Sequence, residues 1–327
     1  MALFSLLAVV SGPAALAADD GVRPTDAEKE ATPKTDAFVR LLNDDRGEPQ
    51  ALQTSIASYA PRDCGQDGPT VDLVSAVHVG DSSYYAALNE ELAKYDVVLY
   101  ELVAPEGTRV AKGGGSKSSH PVGVLQRAMK DMLKLELQLD LIDYSAAHFV
   151  HADMSPEQLM QSMRDRNDSV WSMMLRMMAA GLAQQDQQTS DVELLMALLN
   201  PNRAWALKRV MARQMRAMDG AMQALEGPNG STIIADRNKV ALDVLRRQID
   251  AGKQKIAIFY GAAHMPDFHK RLGEQFGLAP LNSRWLDAWD LRAPGERAKP
   301  QSQRAPEKKR REKVAIGSEA PASVGTE

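Results

Sequence analysis

The sequence predicts a mixed α/β fold (α+β) whose central sheet carries two similar strand–histidine–helix units. The first unit is VDLVSAVHVGDSSYY at Val71–Tyr85, where an apolar strand pattern meets a lone histidine and then a helical pattern. The second is KIAIFYGAAHMPDFHKRL at Lys255–Leu272, which repeats that order. A large Met-rich helical pattern at about 121–226 separates them and predicts a helical insertion.

Composition narrows the class of protein. The chain has 327 residues, 44% of them hydrophobic, and a net charge of −4, so it can bury a substantial core. This charge gives no argument for nucleic acid or for an anionic membrane as a partner. A single cysteine, Cys64, excludes an internal disulfide and a zinc ribbon, and we interpret it as a loop residue.

The two ends of the chain differ from its middle. Residues 1–18 resemble a signal peptide, with an apolar stretch and an A-x-A-like site at Ala15–Ala17, although no basic residue precedes them. This predicts a periplasmic or secreted protein, and an uncleaved segment would be a membrane anchor. Residues 19–48 are expected to be a flexible lead-in and 293–327 a disordered basic tail.

The folded domain is expected at 49–292. Turn signals and alternating patterns predict strands at 52–59, 70–77, 96–102 and 255–260, the first two as a hairpin-type pair. Capping signals predict helices at 82–94, 235–249 and 266–276, and a helix that starts after Ser155. Methionines follow helical spacing at Met211, Met215, Met218 and Met222, and a second group lies at Met173, Met174, Met177 and Met178. Core packing explains them best, with a substrate groove or a copper site as alternatives.

The two strand-end histidines are the leading candidates for chemistry. His78 and His264 each follow an apolar strand, and each is followed three residues later by an aspartate. Ligand sites form at the carboxyl ends of strands, so two such histidines are expected to face each other. Glu101 ends the apolar run VVLYEL and needs a partner if it is buried. Arg237 lies at the edge of a helical apolar stripe and could pair with Glu101 or with a substrate oxyanion.

These pieces together resemble the TraB/GumN family, which is related to the Tiki metalloproteases. The resemblance rests on Ser75-Ala76-Val77-His78, Glu101, Arg237-Asn238 and Gly261-Ala262-Ala263-His264, and it covers about 52–291. The family has two GxxH motifs, and here Ser75 replaces the first glycine.

The resemblance implies a metal-dependent, peptidase-like hydrolase with His78, His264 and Glu101 as metal ligands or acid/base groups. Two imidazoles and a carboxylate leave coordination positions for water and for a peptide or small-molecule substrate. The sequence does not distinguish Mn, Co, Zn and Fe. Arg237 would stabilise an oxyanion, and Tyr260 is a candidate substrate contact.

Other hypotheses about the function of this crevice stay open. The same crevice could bind haem or a peptide without catalysis, with Tyr84, Tyr85 and Tyr260 as contacts, or the protein could be an inhibitory module. Of the remaining histidines, His148 and His151 would point to opposite faces of a strand, which makes them a poor chelating pair. His151 and Asp153 would share a face and could support the site, whereas His120 and His269 are expected at the surface.

Overall fold

The computed structural model describes residues 38–62, 68–105, 107–108, 113, 130–166, 189–226 and 232–295. Several predicted features lie outside these residues: the signal segment, most of the lead-in and the tail, Cys64, His120 and the methionines at 173–178. Of the four methionines predicted to line one helix face, side-chain placement is described for Met211, which packs partly buried against the core.

The described residues form nine strands and seven α-helices. The strands are β1 Val39–Asn43, β2 Pro49–Pro61, β3 Thr70–Ala76, β4 Val79–Gly80, β5 Val97–Tyr100, β6 Glu136–Leu137, β7 Phe149–His151, β8 Lys255–Gly261 and β9 Leu278–Asp290. The helices are α1 Ser82–Leu92, α2 Gln138–Leu141, α3 Pro156–Asp165, α4 Thr189–Leu199, α5 Arg203–Glu226, α6 Arg237–Asp250 and α7 Met265–Phe276. A π-helical turn, Thr232–Asp236, precedes α6, and a 3₁₀ turn, Ala262–His264, precedes α7. None of these helices is long and apolar enough to cross a bilayer.

The main sheet is mixed, as predicted. Strands β3, β8, β5 and β7 are parallel neighbours in that order, and β2 pairs antiparallel with β1, β3 and β9. The predicted pairing of the first two strands is therefore confirmed. Because the four parallel strands point the same way, their carboxyl ends lie along one edge of the sheet.

The two strand–histidine–helix units occupy adjacent places in this sheet. Strand β3 leads through His78 to α1, and β8 leads through His264 to α7. The strands pair in parallel from Thr70 opposite Lys255 to Ala76 opposite Gly261. Alternate side chains fill two cores on the two faces: Val74 and Phe259 belong to one, and Leu73 and Ile258 to the other.

The structure corrects the predicted boundaries in three places. Part of the expected lead-in forms β1, which pairs along β2. The expected insertion at 121–226 is not helical throughout, because Phe149–His151 joins the main sheet beside β5. The third difference is β9, a strand of thirteen residues that the sequence patterns did not predict. It pairs antiparallel with β2, and the register shifts at two points. Strands β7 and β9 are held by pairing with distant partners, which a local pattern does not report, whereas β1 pairs with the adjacent β2 across the turn at 44–48.

Candidate functional site

The candidate site lies where the parallel strands end. Glu101 follows β5 directly, and His78 follows β3 by two residues. His264 closes the 3₁₀ turn after β8, and Asp153 lies two residues beyond β7. Each of the four parallel strands therefore brings one ionisable side chain to the same edge. Arg237 reaches it from a different direction, as the first residue of α6.

An ion-pair network joins Glu101, Arg237 and Asp153. Arg237 Nη2 donates to Glu101 Oε1 at 2.7 Å and to Asp153 Oδ2 at 2.6 Å, while Arg237 Nε donates to Asp153 Oδ1 at 2.9 Å. The backbone N–H of Gly261 donates to Glu101 Oε2 at 2.7 Å. Both oxygens of this carboxylate thus accept hydrogen bonds, and these offset the cost of burying its negative charge.

The pKa of Glu101 reflects these neighbours. Burial of the carboxyl acts to raise its pKa, but the surrounding groups outweigh burial and hold the pKa well below its ordinary value. The contributions come first from His264, then from Arg237 and His78. Burial also opposes the charge of Arg237, yet Asp153 and Glu101 raise the pKa of the guanidinium. The centre therefore keeps an ionised carboxylate.

Helix α6 explains why Arg237 points inward. Its apolar side, which includes Ala241, Leu242 and Leu245, is buried against the sheet. Arg237 stands one turn before Ala241 on this side and is only 8% exposed. The predicted pairing of Arg237 with Glu101 is confirmed.

His264 is the buried histidine of the site. Its Nε2 lies 3.5 Å from Glu101 Oε1 and 3.5 Å from Arg237 Nη1. Its Nδ1 lies 2.6 Å from Oδ1 of Asn238. The ring is 4% exposed, so it is held on both sides rather than solvated.

His78 completes the cluster from the solvent side. The residue is exposed, and its Nδ1 lies 3.2 Å from Oε1 of Gln138. Gly261 shows where the other ring edge points: a Cβ added there would lie 3.6 Å from His78 Nε2 and 3.1 Å from Glu101 Oε2. The structure thus brings all four residues expected to carry the chemistry to one place beside Gly261: His78, Glu101, Arg237 and His264.

The predicted tyrosine contacts have a different role. Tyr260 is fully buried, its hydroxyl donates to the carbonyl of Ala152, and its ring packs edge-on against His264 at 5.2 Å between centroids. Tyr84 and Tyr85 are also buried, and they donate to backbone carbonyls of β3 and of the residue after it. All three are packing residues beneath the site, because their hydroxyls and ring faces are occupied by the protein.

The remaining histidines divide as follows. His148 and His151 each direct Nε2 to a backbone carbonyl, of Leu92 at 3.3 Å and of Leu102 at 2.6 Å, so they do not form a chelating pair. His269 is partly buried rather than at the surface, because its Nδ1 contacts the hydroxyl of Tyr59 at 2.8 Å.

Sequence reasoning found Asp153 as a supporting residue but missed Gln138. Asp153 shares the periodicity of a short strand with His151, and this was the signal for it. Gln138 lies 60 residues from His78, on a different element, and no local pattern marks it.

A groove of about 230 Å³ on the helical insertion, lined in part by Met196, Trp205 and Arg209, contains none of the site residues.

The donor atoms suit a divalent metal in type. The 3.5 Å between Glu101 Oε1 and His264 Nε2 matches the roughly 3.4 Å between two ligands about 2.1 Å from one tetrahedral ion. Within the described ranges, no group of three His, Cys, Asp or Glu side chains is already spaced to hold a metal. The donor types therefore suit a divalent ion, but the spacing of the described side chains does not form a three-residue site, and Arg237 already donates to Glu101 Oε1.

Comparisons with known proteins identify no family for this chain. No family model matches it, no curated protein matches it, and no solved structure matches it. The geometry of the site is therefore the basis for the function proposed below.

Proposed function

We propose that this protein is a metal-dependent hydrolase that cleaves a peptide or another amide, of the kind that the TraB/GumN resemblance implies. The observation that supports the proposal is the convergence of two histidines, one carboxylate and one arginine at the carboxyl ends of parallel strands. The active-centre residues are His78, Glu101, Arg237 and His264. Packing alone gives no reason for all of them to meet at one edge of the sheet.

The ligands in this proposal are the Nε2 atoms of His78 and His264 and a carboxylate oxygen of Glu101. Held by these three residues, a divalent ion would supply Lewis-acid chemistry, which makes water a better nucleophile near neutral pH. Manganese, cobalt, zinc and iron all accept this mixture of nitrogen and oxygen donors.

Arg237 has two parts in the proposal. It holds Glu101 in place through the 2.7 Å hydrogen bond to Oε1, and Asp153 fixes the guanidinium from behind through two hydrogen bonds. It also keeps a positive charge beside the cluster, which stabilises an oxyanion that develops there.

The exposure of the two histidines indicates the side from which a substrate approaches. His78 is exposed, whereas His264 is 4% exposed and is covered by the ring of Tyr260. A substrate therefore meets His78 first and reaches Glu101 past it. We also propose that the protein is exported to the periplasm or secreted, on the basis of the signal-like residues 1–18.

A second candidate function is non-catalytic binding of haem or a peptide, or an inhibitory role, in the same crevice. The observation that favours it is the saturation of Glu101, whose two oxygens already accept from Arg237 and Gly261. In this case the protein binds its ligand without a metal and does not turn it over.

Peptide cleavage tests the proposal. The wild-type protein, purified without chelators, is incubated with Mn²⁺ or Co²⁺ and a defined peptide mixture, and the products are identified by mass spectrometry. We expect metal-dependent cleavage that falls at least 100-fold in His264→Ala and in His78→Ala. The matched control is His148→Ala, a histidine outside the cluster, which should cleave like the wild type. Equal cleavage by wild type and His264→Ala contradicts the proposal, and a Soret shift on haem addition without cleavage favours the second candidate.

A further inference from the structure

The orientation of the Asn238 side chain determines which nitrogen of His264 carries a proton. Asn238 Nδ2 lies 3.1 Å from the carbonyl oxygen of His264 and 2.8 Å from Asp267 Oδ2. Both partners only accept hydrogen bonds, so the NH₂ group must face them, and the amide oxygen must face the ring. An amide oxygen 2.6 Å from Nδ1 requires an N–H there, so in the neutral ring the proton is on Nδ1.

The other nitrogen of His264 makes only long contacts, one to a donor and one to an acceptor, so it does not decide the tautomer. Arg237, which has only donors, places Nη1 3.5 Å from Nε2. Glu101 Oε1 is equally distant at 3.5 Å, which is at the limit of a hydrogen bond, whereas the contact at Nδ1 is 2.6 Å. The shorter contact decides the tautomer, and it leaves a lone pair on Nε2 directed into the cluster.

A related contact occurs at His78 with a different amide, whose second partner is the Tyr144 hydroxyl, a group that can both accept and donate. Gln138 Oε1 lies 3.2 Å from His78 Nδ1, while Gln138 Nε2 donates to the hydroxyl of Tyr144 at 2.8 Å. The backbone N–H of Gln138 also donates to the carbonyl of His78 at 3.0 Å, so the two residues are held together twice. The Nε2 edge of the ring then faces Gly261 and Glu101.

We infer that Gln138 and Asn238 are a matched pair of positioning residues, which lock both site histidines in the Nδ1–H tautomer with both Nε2 lone pairs facing Glu101. The inference rests on the proposed function where it makes these lone pairs metal-binding. This tautomer restricts what can bind at the two Nε2 atoms. Each lone pair can bind a divalent cation or accept a hydrogen bond from an N–H or O–H group of a substrate. Side chains that orient a ligating imidazole in this way typically change metal affinity 10- to 100-fold when removed.

Two other histidines supply an internal control. His148 and His151 direct Nε2 to backbone carbonyls, which only accept, so their neutral rings carry the proton on Nε2. The structure thus contains two tautomer classes, one at the site and one outside it.

Two-bond ¹H–¹⁵N correlation spectra of the metal-free, full-length protein, recorded where the rings are neutral, distinguish the two tautomers directly. We expect Nδ1–H at His78 and His264, and Nε2–H at His148 and His151. Gln138→Leu should release His78 to a mixture of tautomers, whereas Gln138→Glu keeps an acceptor and should retain Nδ1–H. Asn238→Leu should release His264 alone.

The outcomes separate this inference from the proposed function. Nε2–H at either site histidine in the wild type overturns the inference, and so does an unchanged His78 spectrum in Gln138→Leu. If Asn238→Leu does not fold, the wild-type spectrum and the two Gln138 variants still decide. If the tautomers are as expected but the protein cleaves no peptide, the inference about Gln138 and Asn238 stands and the proposed hydrolase function is contradicted. When the metal is added, we expect Gln138→Leu to bind it 10- to 100-fold more weakly and Gln138→Glu to bind it about as well as wild type.

Discussion

Gly261→Ala is a direct single perturbation of the site, because the three atoms nearest to the added methyl group would all belong to Glu101 and His78. Its backbone angles, φ −56° and ψ 143°, are open to alanine, so Gly261→Ala introduces no backbone strain. The new Cβ would lie 3.1 Å from Glu101 Oε2 and 3.6 Å from His78 Nε2. The carboxylate is also held by the N–H of Gly261 at 2.7 Å, so it cannot move far without lengthening that bond.

The size of the effect follows from these distances. Ordinary contacts of a Cβ begin at 3.4 Å, so Glu101 must move outward by about 0.3 Å. Misplacement of a reacting group by about 1 Å costs on the order of 100-fold in rate, so a shift of this size predicts a loss of roughly 3- to 10-fold in kcat. The free energy of unfolding should change by less than about 1 kcal/mol, because alanine lowers the entropy of the unfolded chain while the tight contact costs a similar amount.

The assay compares two quantities in Gly261→Ala and in a matched control: kcat of the proposed hydrolase with Mn²⁺ added, and the urea-unfolding free energy. Gly273→Ala in α7 is that control, since its Cβ would lie 3.8 Å from the nearest atom outside its own helix backbone, the carbonyl oxygen of Leu278. We expect the control to keep full activity and to gain about 0.5–1 kcal/mol of stability. Full activity in Gly261→Ala would refute the placement of Glu101 and His78 beside this residue in the working site.

Three further substitutions test the chemistry beneath the site. The pKa of Glu101 is lowered by folding, so its ionisation contributes stability that is fully present above the ordinary pKa of 4.5 and is lost as the pH falls below it. The stability difference between wild type and Glu101→Gln in urea titrations should therefore be constant near neutral pH and shrink as the pH falls below about 4.5. Arg237→Met leaves the fully buried Asp153 carboxylate without its cation, and we expect the free energy of unfolding in urea to fall by about 3–5 kcal/mol. A clearly smaller decrease would contradict the ion-pair network. Ser75→Ala removes a buried hydroxyl that has no hydrogen-bond partner among the described residues, so thermal unfolding should show equal or greater stability, by up to about 1–3 kcal/mol. A clear loss of stability would mean that the hydroxyl is used.

The convergence of the site residues could be predicted because it depends on one simple rule. His78, Glu101 and His264 each follow a short apolar strand, and parallel strands end at a common edge. The two similar units therefore indicated both the fold class and the place of the site. Arg237 was found from helical periodicity, which reports which side of α6 faces the sheet.

The contacts that refine the site could not be predicted in the same way. Gln138 reaches His78 from an element 60 residues away, and Asp153 holds Arg237 across 84 residues. Strand β9 carries Pro280 and an exposed Leu281, which weaken its alternation, and it pairs with β2 more than 200 residues earlier. Tertiary pairing decides such features, so no local window of sequence contains the signal.

Metal stoichiometry is the most direct test of the central claim, that His78, Glu101 and His264 together receive one divalent ion. Elemental analysis and isothermal titration with Mn²⁺ and Co²⁺ would be performed on the full-length protein purified without chelators. We predict one ion per chain in the wild type and in His148→Ala. In a His78→Ala, His264→Ala double variant, we predict less than a tenth of that at the same metal concentration. Wild-type protein that binds no ion, or a double variant that binds as much as wild type, would contradict this claim.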